Sequence, residues 1–127
     1  MRNEPAAADL LDAVASLLRK QMMPLLEGQT AFTARVAANV LETLRREWVH
    51  GAAADAAERG RLCHLLGENG ELEALNRALC QRVADGDMTV DTPGLLEHLR
   101  STILDRMAID QPSYAAYQRV LTDGWAN

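Results

Sequence analysis

Apolar residues recur at steps of three and four along most of this chain, a periodicity typical of α-helices with one buried side. In the first segment the recurring residues are Leu10, Leu11, Val14, Leu17, Leu18 and Met22. The apolar content is mostly Ala and Leu, and aromatic residues make up only 4%. Sheets favour β-branched and aromatic side chains instead. The sequence therefore predicts an all-α protein, a single compact bundle of five to six helices.

Turn residues and prolines divide this pattern into six predicted helices and one irregular stretch at residues 86–94. The predicted helices span about residues 5–23, 31–50, 52–66, 70–85, 92–109 and 113–122. Pro24 ends the first helix, and Gly51 is a natural C-terminal stop for the second. No internal repeat or linker is present, so we expect residues 1–127 to form one helical domain.

Four of these helices carry apolar stripes that we expect to face the core: the first, with the residues given above, the fourth, with Leu72, Leu75, Leu79 and Val83, and the second and fifth. The stripe of the second predicted helix consists of Val36, Ala37, Val40, Leu41, Leu44 and Trp48. The stripe of the fifth consists of Leu96, Leu99, Ile103 and Met107. Burial of such stripes is how an amphipathic helix stabilises a globular protein.

The charge balance and the N-terminus exclude several kinds of partner. A net charge of −5 and a pI of about 5.1 provide no basic field for a phosphate backbone, so no nucleic-acid partner is expected. The N-terminal segment is acidic where a signal peptide is basic and then apolar. No apolar run reaches the roughly 18 residues of a membrane span. We therefore expect a cytoplasmic protein with no membrane partner.

The two cysteines, Cys63 and Cys80, predict free thiols. If they lie on the two arms of a helical hairpin with its turn at residues 67–70, Cys80 lies about 9 Å beyond the position opposite Cys63. A disulfide needs Cα atoms within about 7 Å. Two buried free thiols in a reducing cytosol are therefore expected.

Polar residues border the apolar face of the second predicted helix and form the main candidate ligand site. Phe32, Asn39, Thr43 and His50 fall within about 20° of one line along the helix. Arg35 lies to one side of that line, one turn from Asn39, so their polar heads can meet.

Three interpretations of this border remain open. In the first, the border is covered and Arg35 pairs with a carboxylate, with Asp105 and Asp110 available, to fix how the helix docks. In the second, Arg35 and Asn39 wall a pocket for an anionic ligand. In the third, the border is exposed to solvent.

Other patterns that suggest chemistry are incomplete. Glu47-x-x-His50 has the spacing of a di-iron ligand pair, but that chemistry needs a second copy, which the sequence lacks. Cys63 and His64 are adjacent, so on a helix they point about 100° apart and do not face each other. No glycine-rich phosphate loop or nucleophile elbow is present. We therefore predict no metal site, no cofactor and no catalytic residue, which favours a protein that is not an enzyme.

Three of the five aromatic residues, Tyr114, Tyr117 and Trp125, fall in the last fourteen positions. They either close the core over the end of the bundle or form an interface, where aromatic residues are over-represented.

Three segments resemble a family of small uncharacterised bacterial helical proteins. They are E-G-x-x-x-F-x-x-R-V-A-A-N at residues 27–39, L-x-x-A-L-C at 75–80 and L-D-R-M-A-I-D-Q-P-x-Y at 104–114. Genes of that family often lie beside aminoglycoside-phosphotransferase-like kinases and acyl-CoA dehydrogenases. The resemblance implies an accessory role beside such an enzyme in acyl-CoA catabolism, and it carries over no catalytic residue. The candidate ligand-binding residues that it brings forward are Phe32, Arg35, Asn39, Asp105, Asp110 and Tyr114.

Two hypotheses of function follow. The first is a non-enzymatic helical module that forms a homo-oligomer and binds or stabilises a protein partner, such as the neighbouring kinase-like protein or acyl-CoA dehydrogenase. The second is a binder of, or enzyme for, an anionic small molecule or acyl-CoA, with a pocket walled by Arg35 and Asn39.

Overall fold

A computed structural model describes residues 5–126, and every regular element among them is a helix. Helix α1 (Ala7–Leu17) continues into a π-helical turn (Leu18–Met22) and a 3-10 turn (Met23–Leu25). The remaining helices are α2 (Gly28–Leu66), α3 (Leu72–Ala84), α4 (Leu95–Asp110) and α5 (Ala115–Asp123). The all-α fold class is confirmed.

The chain groups into two compact units, Met1–Gly51 and Ala52–Asn127, and α2 contributes residues to both. The first unit holds α1 and the first half of α2, and the second holds the rest of α2 with α3, α4 and α5. Whether they fold as one domain stays a prediction.

The predicted break at Gly51 is wrong, because α2 is a continuous helix of 39 residues. A glycine ends a helix where the chain turns into the left-handed conformation, as Gly67 does with φ at 69°. The φ of Gly51 is not positive, and the residue is buried within the helix. Alanine has the highest helix propensity of the residues, and the segment that follows is rich in alanine, so the helix propagates.

The first unit buries small side chains, since its buried hydrophobic residues among those described are Ala15, Ala34 and Ala38. The predicted inward face of the second helix is therefore wrong. Val36 lies about 180° around α2 from the two buried alanines, on the opposite side of the helix. Alanine on a contact face lets helix axes approach closely, and this brings the small face inward.

Large apolar side chains remain exposed on α1, on the π-helical turn that follows it and on α2, so the predicted burial of the first helix's stripe is wrong for four of its six residues. We call these exposed side chains the α1–α2 stripe. Its members are Leu10, Val14, Leu17, Met22, Phe32, Val36, Val40, Leu44 and Trp48. Their exposed fractions range from 42% for Leu17 and Val36 to 69% for Trp48. Ala37 and Leu41, also predicted to be inward, are half-buried.

The second unit has a conventional apolar core that joins three helices and the connection before α4. The core cluster consists of Leu62, Leu66, Leu75, Leu79, Met88 and Leu95. On α4 the predicted stripe is wrong for Leu96, Leu99 and Ile103, which are 42–51% exposed. This helix buries Leu95, His98 and Ile109 instead.

Both cysteines are free, as predicted, but the predicted burial of Cys80 is wrong. Cys63 is half-buried and Cys80 is exposed. Helix α3 turns Leu75 and Leu79 into the core, and Cys80 lies about 100° around the helix from Leu79. The predicted inward position of Val83 on this helix is also wrong, because that side chain is 48% exposed.

No helix built from residues 5–126 combines the length and the apolar character that a membrane crossing requires.

Candidate functional site

The predicted site around Arg35 lies at an exposed surface of α2. Arg35 is exposed, and its guanidinium carbon lies 5.4 Å from the centroid of the Phe32 ring, which is itself 49% exposed. A cation–π contact of this kind contributes roughly 0.5–1 kcal/mol at exposed sites. This geometry corresponds to the third interpretation, because Arg35 has no need of a buried carboxylate partner.

Asn39 belongs to a polar network that the sequence did not reveal. Its amide oxygen accepts a hydrogen bond from Nη2 of Arg19, 2.5 Å away. Arg19 also donates to both carboxylate oxygens of Glu42, from Nε at 2.7 Å and from Nη2 at 2.9 Å. The hydrogen bond lowers the pKa of Glu42 and raises the pKa of Arg19. The π-helical turn that carries Arg19 had no distinct sequence pattern, so this partner was missed.

The carboxylates Asp105 and Asp110 pair with arginines of the second unit. Nη2 of Arg61 lies 3.3 Å from Oδ2 of Asp105, and Nη2 of Arg106 lies 3.1 Å from Oδ1 of Asp110. The second pair joins residues one turn apart on α4 and is half-exposed, so it contributes little to stability.

Tyr114 is 54% exposed and lines an apolar groove of about 140 Å³. The other lining residues are Ile103, Leu104, Met107, Ala116, Tyr117, Val120 and Trp125. The guanidinium of Arg100 lies 5.2 Å from the ring of Trp125, which fixes the indole near this groove. The aromatic residues near the C-terminus therefore lie together, but the groove they line stays open. A ligand-binding role for the six predicted residues stays a prediction.

A larger cavity, of about 390 Å³, lies between the second half of α2 and the start of α4. It is lined by Arg61, His64, Leu65, Pro93, Gly94, Glu97 and His98. Its volume is within the range of small-molecule sites in proteins, roughly 300–1,000 Å³. We call it the Arg61–His98 cavity.

The side of α4 that faces α2 is polar at its centre. His98, Thr102 and Asp105 follow one another at steps of four and three, so they lie on one face. Nη2 of Arg61 donates to Oγ1 of Thr102 at 3.2 Å and to Oδ2 of Asp105 at 3.3 Å. These bonds fix Arg61 beside the cavity. They also help to explain why α4 turns its polar face toward α2, since a partly buried arginine is stabilised by such partners.

His98 is only 3% exposed, and its Nδ1 has no hydrogen-bond partner among the described residues. Burial lowers the pKa of His98, and the charge of Arg61 lowers it further, while Glu58 acts in the opposite direction. The imidazole is therefore neutral at pH 7. Sequence reasoning missed this residue, although its place one turn after Leu95 on the buried side of the helix was a usable signal.

Within residues 5–126 no group of three or more His, Cys, Asp or Glu side chains is placed to hold a metal ion. The Arg61–His98 cavity instead gathers hydrogen-bond donors. Donors of this kind suit the recognition of a polar group.

Comparison with known proteins identifies one family. The family described as Domain of unknown function (DUF6285) matches residues 24–114. No curated protein and no solved structure matches the chain. The matched segment includes α2, α3 and α4 in full, and so includes the Arg61–His98 cavity. Because the match covers well over half of the sequence, the chain belongs to the DUF6285 family, whose function is unknown.

Proposed function

We propose that this chain is a non-enzymatic helical interaction module that forms a homodimer through the α1–α2 stripe. The observation that carries the proposal is the exposure of nine large apolar side chains on two neighbouring helices. Water contact with such side chains costs free energy, which association recovers.

The stripe offers a broad apolar surface for a dimer. Each of its nine residues leaves 42–69% of its surface exposed, and apolar side chains of this size form the core of protein interfaces. On α2 the stripe is one continuous ridge, because Phe32, Val36, Val40, Leu44 and Trp48 follow at four-residue steps. A second copy that meets this ridge completes a four-helix arrangement, which is the usual way for paired helices to bury such a face.

The spacing of the ridge on α2 favours a second copy as the occupant. In an antiparallel pair centred on Val40, Phe32 of one chain lies opposite Trp48 of the other, and Val36 lies opposite Leu44. A two-fold axis produces each of these contacts twice, as an isologous interface requires.

The resemblance to proteins encoded beside kinase-like proteins and acyl-CoA dehydrogenases extends the proposal to an accessory role. The dimer then binds or stabilises such an enzyme in the cytoplasm. Co-purification with a tagged neighbouring enzyme tests this extension, and a dimer that captures neither enzyme at micromolar concentrations would limit the function to self-association.

Dimerisation is tested by size-exclusion chromatography with light scattering on two charge variants. Val40→Glu places a carboxylate near the centre of the ridge, where the symmetric copy brings a second one. We expect a mass near 13.9 kDa for this variant and twice that for the wild type. Ala53→Glu, an exposed position of α2 outside the stripe, is the matched control and should remain dimeric. A Val40→Glu variant as dimeric as the wild type would refute the proposed surface.

A further inference from the structure

The geometry points to a second activity of this chain: the Arg61–His98 cavity binds the oxyanion group of a small organic acid or phosphate ester. This inference is independent of self-association, because it rests on residues 58–105 of the second unit.

The first support is a pair of buried polar atoms without partners. Nε of Arg61 and Nδ1 of His98 are both shielded from solvent, and neither has a hydrogen-bond partner among residues 5–126. Leaving a buried polar atom unpaired costs free energy, so native proteins rarely do so without a reason. Both residues line the same cavity, and a rotation of the two side chains toward it would let a bound oxyanion accept hydrogen bonds from both.

The second support is the N-terminus of α4, which opens onto the cavity through Gly94 and Glu97. Gly94 is the N-cap with φ at 87°, and no side chain caps this helix end. The N–H groups of Leu96 and Glu97 have no backbone acceptor within the described part of the chain. The start of a 16-residue helix carries partial positive charge and free N–H donors, which is the usual setting for a bound anion.

The hydrogen-bond donors around the cavity favour an anion over a cation. Arg61 is the positively charged residue of the lining and His98 contributes a neutral imidazole, while the one lining carboxylate, Glu97, is exposed and can turn into solvent. Glu58 acts electrostatically on His98 but is not among the residues that line the cavity. Its Oε1 accepts a hydrogen bond from the side-chain amide of Asn76 at 2.9 Å. Asp105 occupies only Nη2 of Arg61.

The size and the apolar walls of the cavity indicate what kind of molecule bears the oxyanion group. A cavity of about 390 Å³ is larger than a bare inorganic ion needs. Leu65 and Pro93 supply carbon surface beside the donors. A short aliphatic body attached to a carboxylate or phosphate fits this combination, and polar groups placed in apolar walls are typical of metabolite sites.

The test is a titration of the wild-type protein followed through the imidazole nitrogen resonances of His64 and His98. The probes are inorganic phosphate, butyrate and sodium chloride at constant ionic strength and neutral pH. We expect both resonances to shift saturably with phosphate or butyrate and not with chloride. Tighter phosphate binding identifies a phosphate ester as the ligand class, and tighter butyrate binding identifies an organic acid. Absence of a saturable shift with either probe overturns the inference.

Two variants distinguish the cavity from general ionic attraction. Arg61→Lys keeps the charge but removes Nε, and we expect at least a tenfold loss of affinity. Arg77→Lys is the matched control, because Arg77 is exposed on α3 and pairs with Glu73 one turn away. Equal affinity of the wild type, Arg61→Lys and Arg77→Lys would refute the site.

A third variant keeps the test decisive if Arg61→Lys fails to fold. His64→Gln removes an imidazole from an exposed position on the rim of the cavity and leaves the core intact. We expect it to weaken binding severalfold, with the change read from the His98 resonance. Unchanged affinity of this variant would contradict a ligand in contact with the cavity rim.

Discussion

The buried hydrophobic side chains of residues 5–51 are alanines, whereas those of residues 52–126 are mostly leucines with one methionine and one isoleucine. The first unit leaves its large apolar side chains exposed, whereas the second buries six of them in a core and leaves others, such as Leu99 and Ile103, exposed. Burial of a leucine removes far more apolar area from water than burial of an alanine. The second unit therefore gains more stability than the first from the burial of its own side chains.

Truncation of a core leucine in the second unit should have the largest effect on the free energy of unfolding. Leu62 is fully buried at 0% exposure, so Leu62→Ala should lower the free energy of unfolding by about 2–5 kcal/mol. Urea denaturation followed by circular dichroism measures this change. Leu121→Ala, at a position 55% exposed on α5, should cost less than about 1 kcal/mol. Equal losses in the two variants would contradict the assigned core.

In the first unit, added volume rather than lost volume should be damaging. Ala38 is 0% exposed, and Ala38→Leu inserts three carbon atoms where α2 is closely packed. Such overpacking typically costs about 1–3 kcal/mol, and we expect the same urea midpoint to fall accordingly. Ala53→Leu on the exposed side of α2 is the control and should be nearly neutral. A stable Ala38→Leu variant would show that the alanine contact tolerates expansion.

A smaller effect tests the continuity of α2 at the boundary between the units. Gly51→Ala should raise helix stability by about 0.5–1 kcal/mol, since alanine has the higher helix propensity. The new Cβ lies 2.5 Å from Oε1 of Glu47, the far end of a flexible side chain that can move aside. Thermal unfolding measures the gain. A marked loss of stability would indicate the helix break that the sequence suggested.

The smallest expected effect is a difference between the units in how their folding stability depends on pH. Folding lowers the pKa of His98 below its ordinary 6.5, so the unfolded chain binds more protons in that range. The stabilising contribution of the neutral imidazole is therefore complete above pH 6.5 and is lost as the pH falls through the folded pKa. In the first unit, Arg19 lowers the pKa of Glu42 below 4.5, and that contribution is lost only in more acidic solution.

Urea midpoints at pH 7.5 and 5.5 separate these contributions. We expect the wild type to lose stability over this interval and His98→Gln to lose less. Arg19→Gln should keep the wild-type difference, because its partner titrates below the interval. If His98→Gln showed the full wild-type difference, the buried imidazole would not be its source.

The sequence predicted the helices well and their inward faces poorly. Apolar periodicity identified α1, α3, α4 and α5 because it depends only on residues within one helix. It cannot show which side a neighbour covers, so Val36, Val40 and Leu44 were expected to be inward. The Arg61–Asp105 pair joins residues 44 positions apart, a distance over which local patterns carry no information. The helix end predicted at Gly51 was wrong for a related reason, since only the backbone conformation decides whether a glycine ends a helix.

Hydrogen exchange measured by mass spectrometry at about 1 and 100 µM protein tests the central claim most directly, because association protects only the amides that it stabilises. If the α1–α2 stripe is a dimer interface, amides of α1 and of α2 up to Gly51 will exchange more slowly at the higher concentration, while those of α3 remain unchanged. Identical exchange of the first unit at the two concentrations would contradict it.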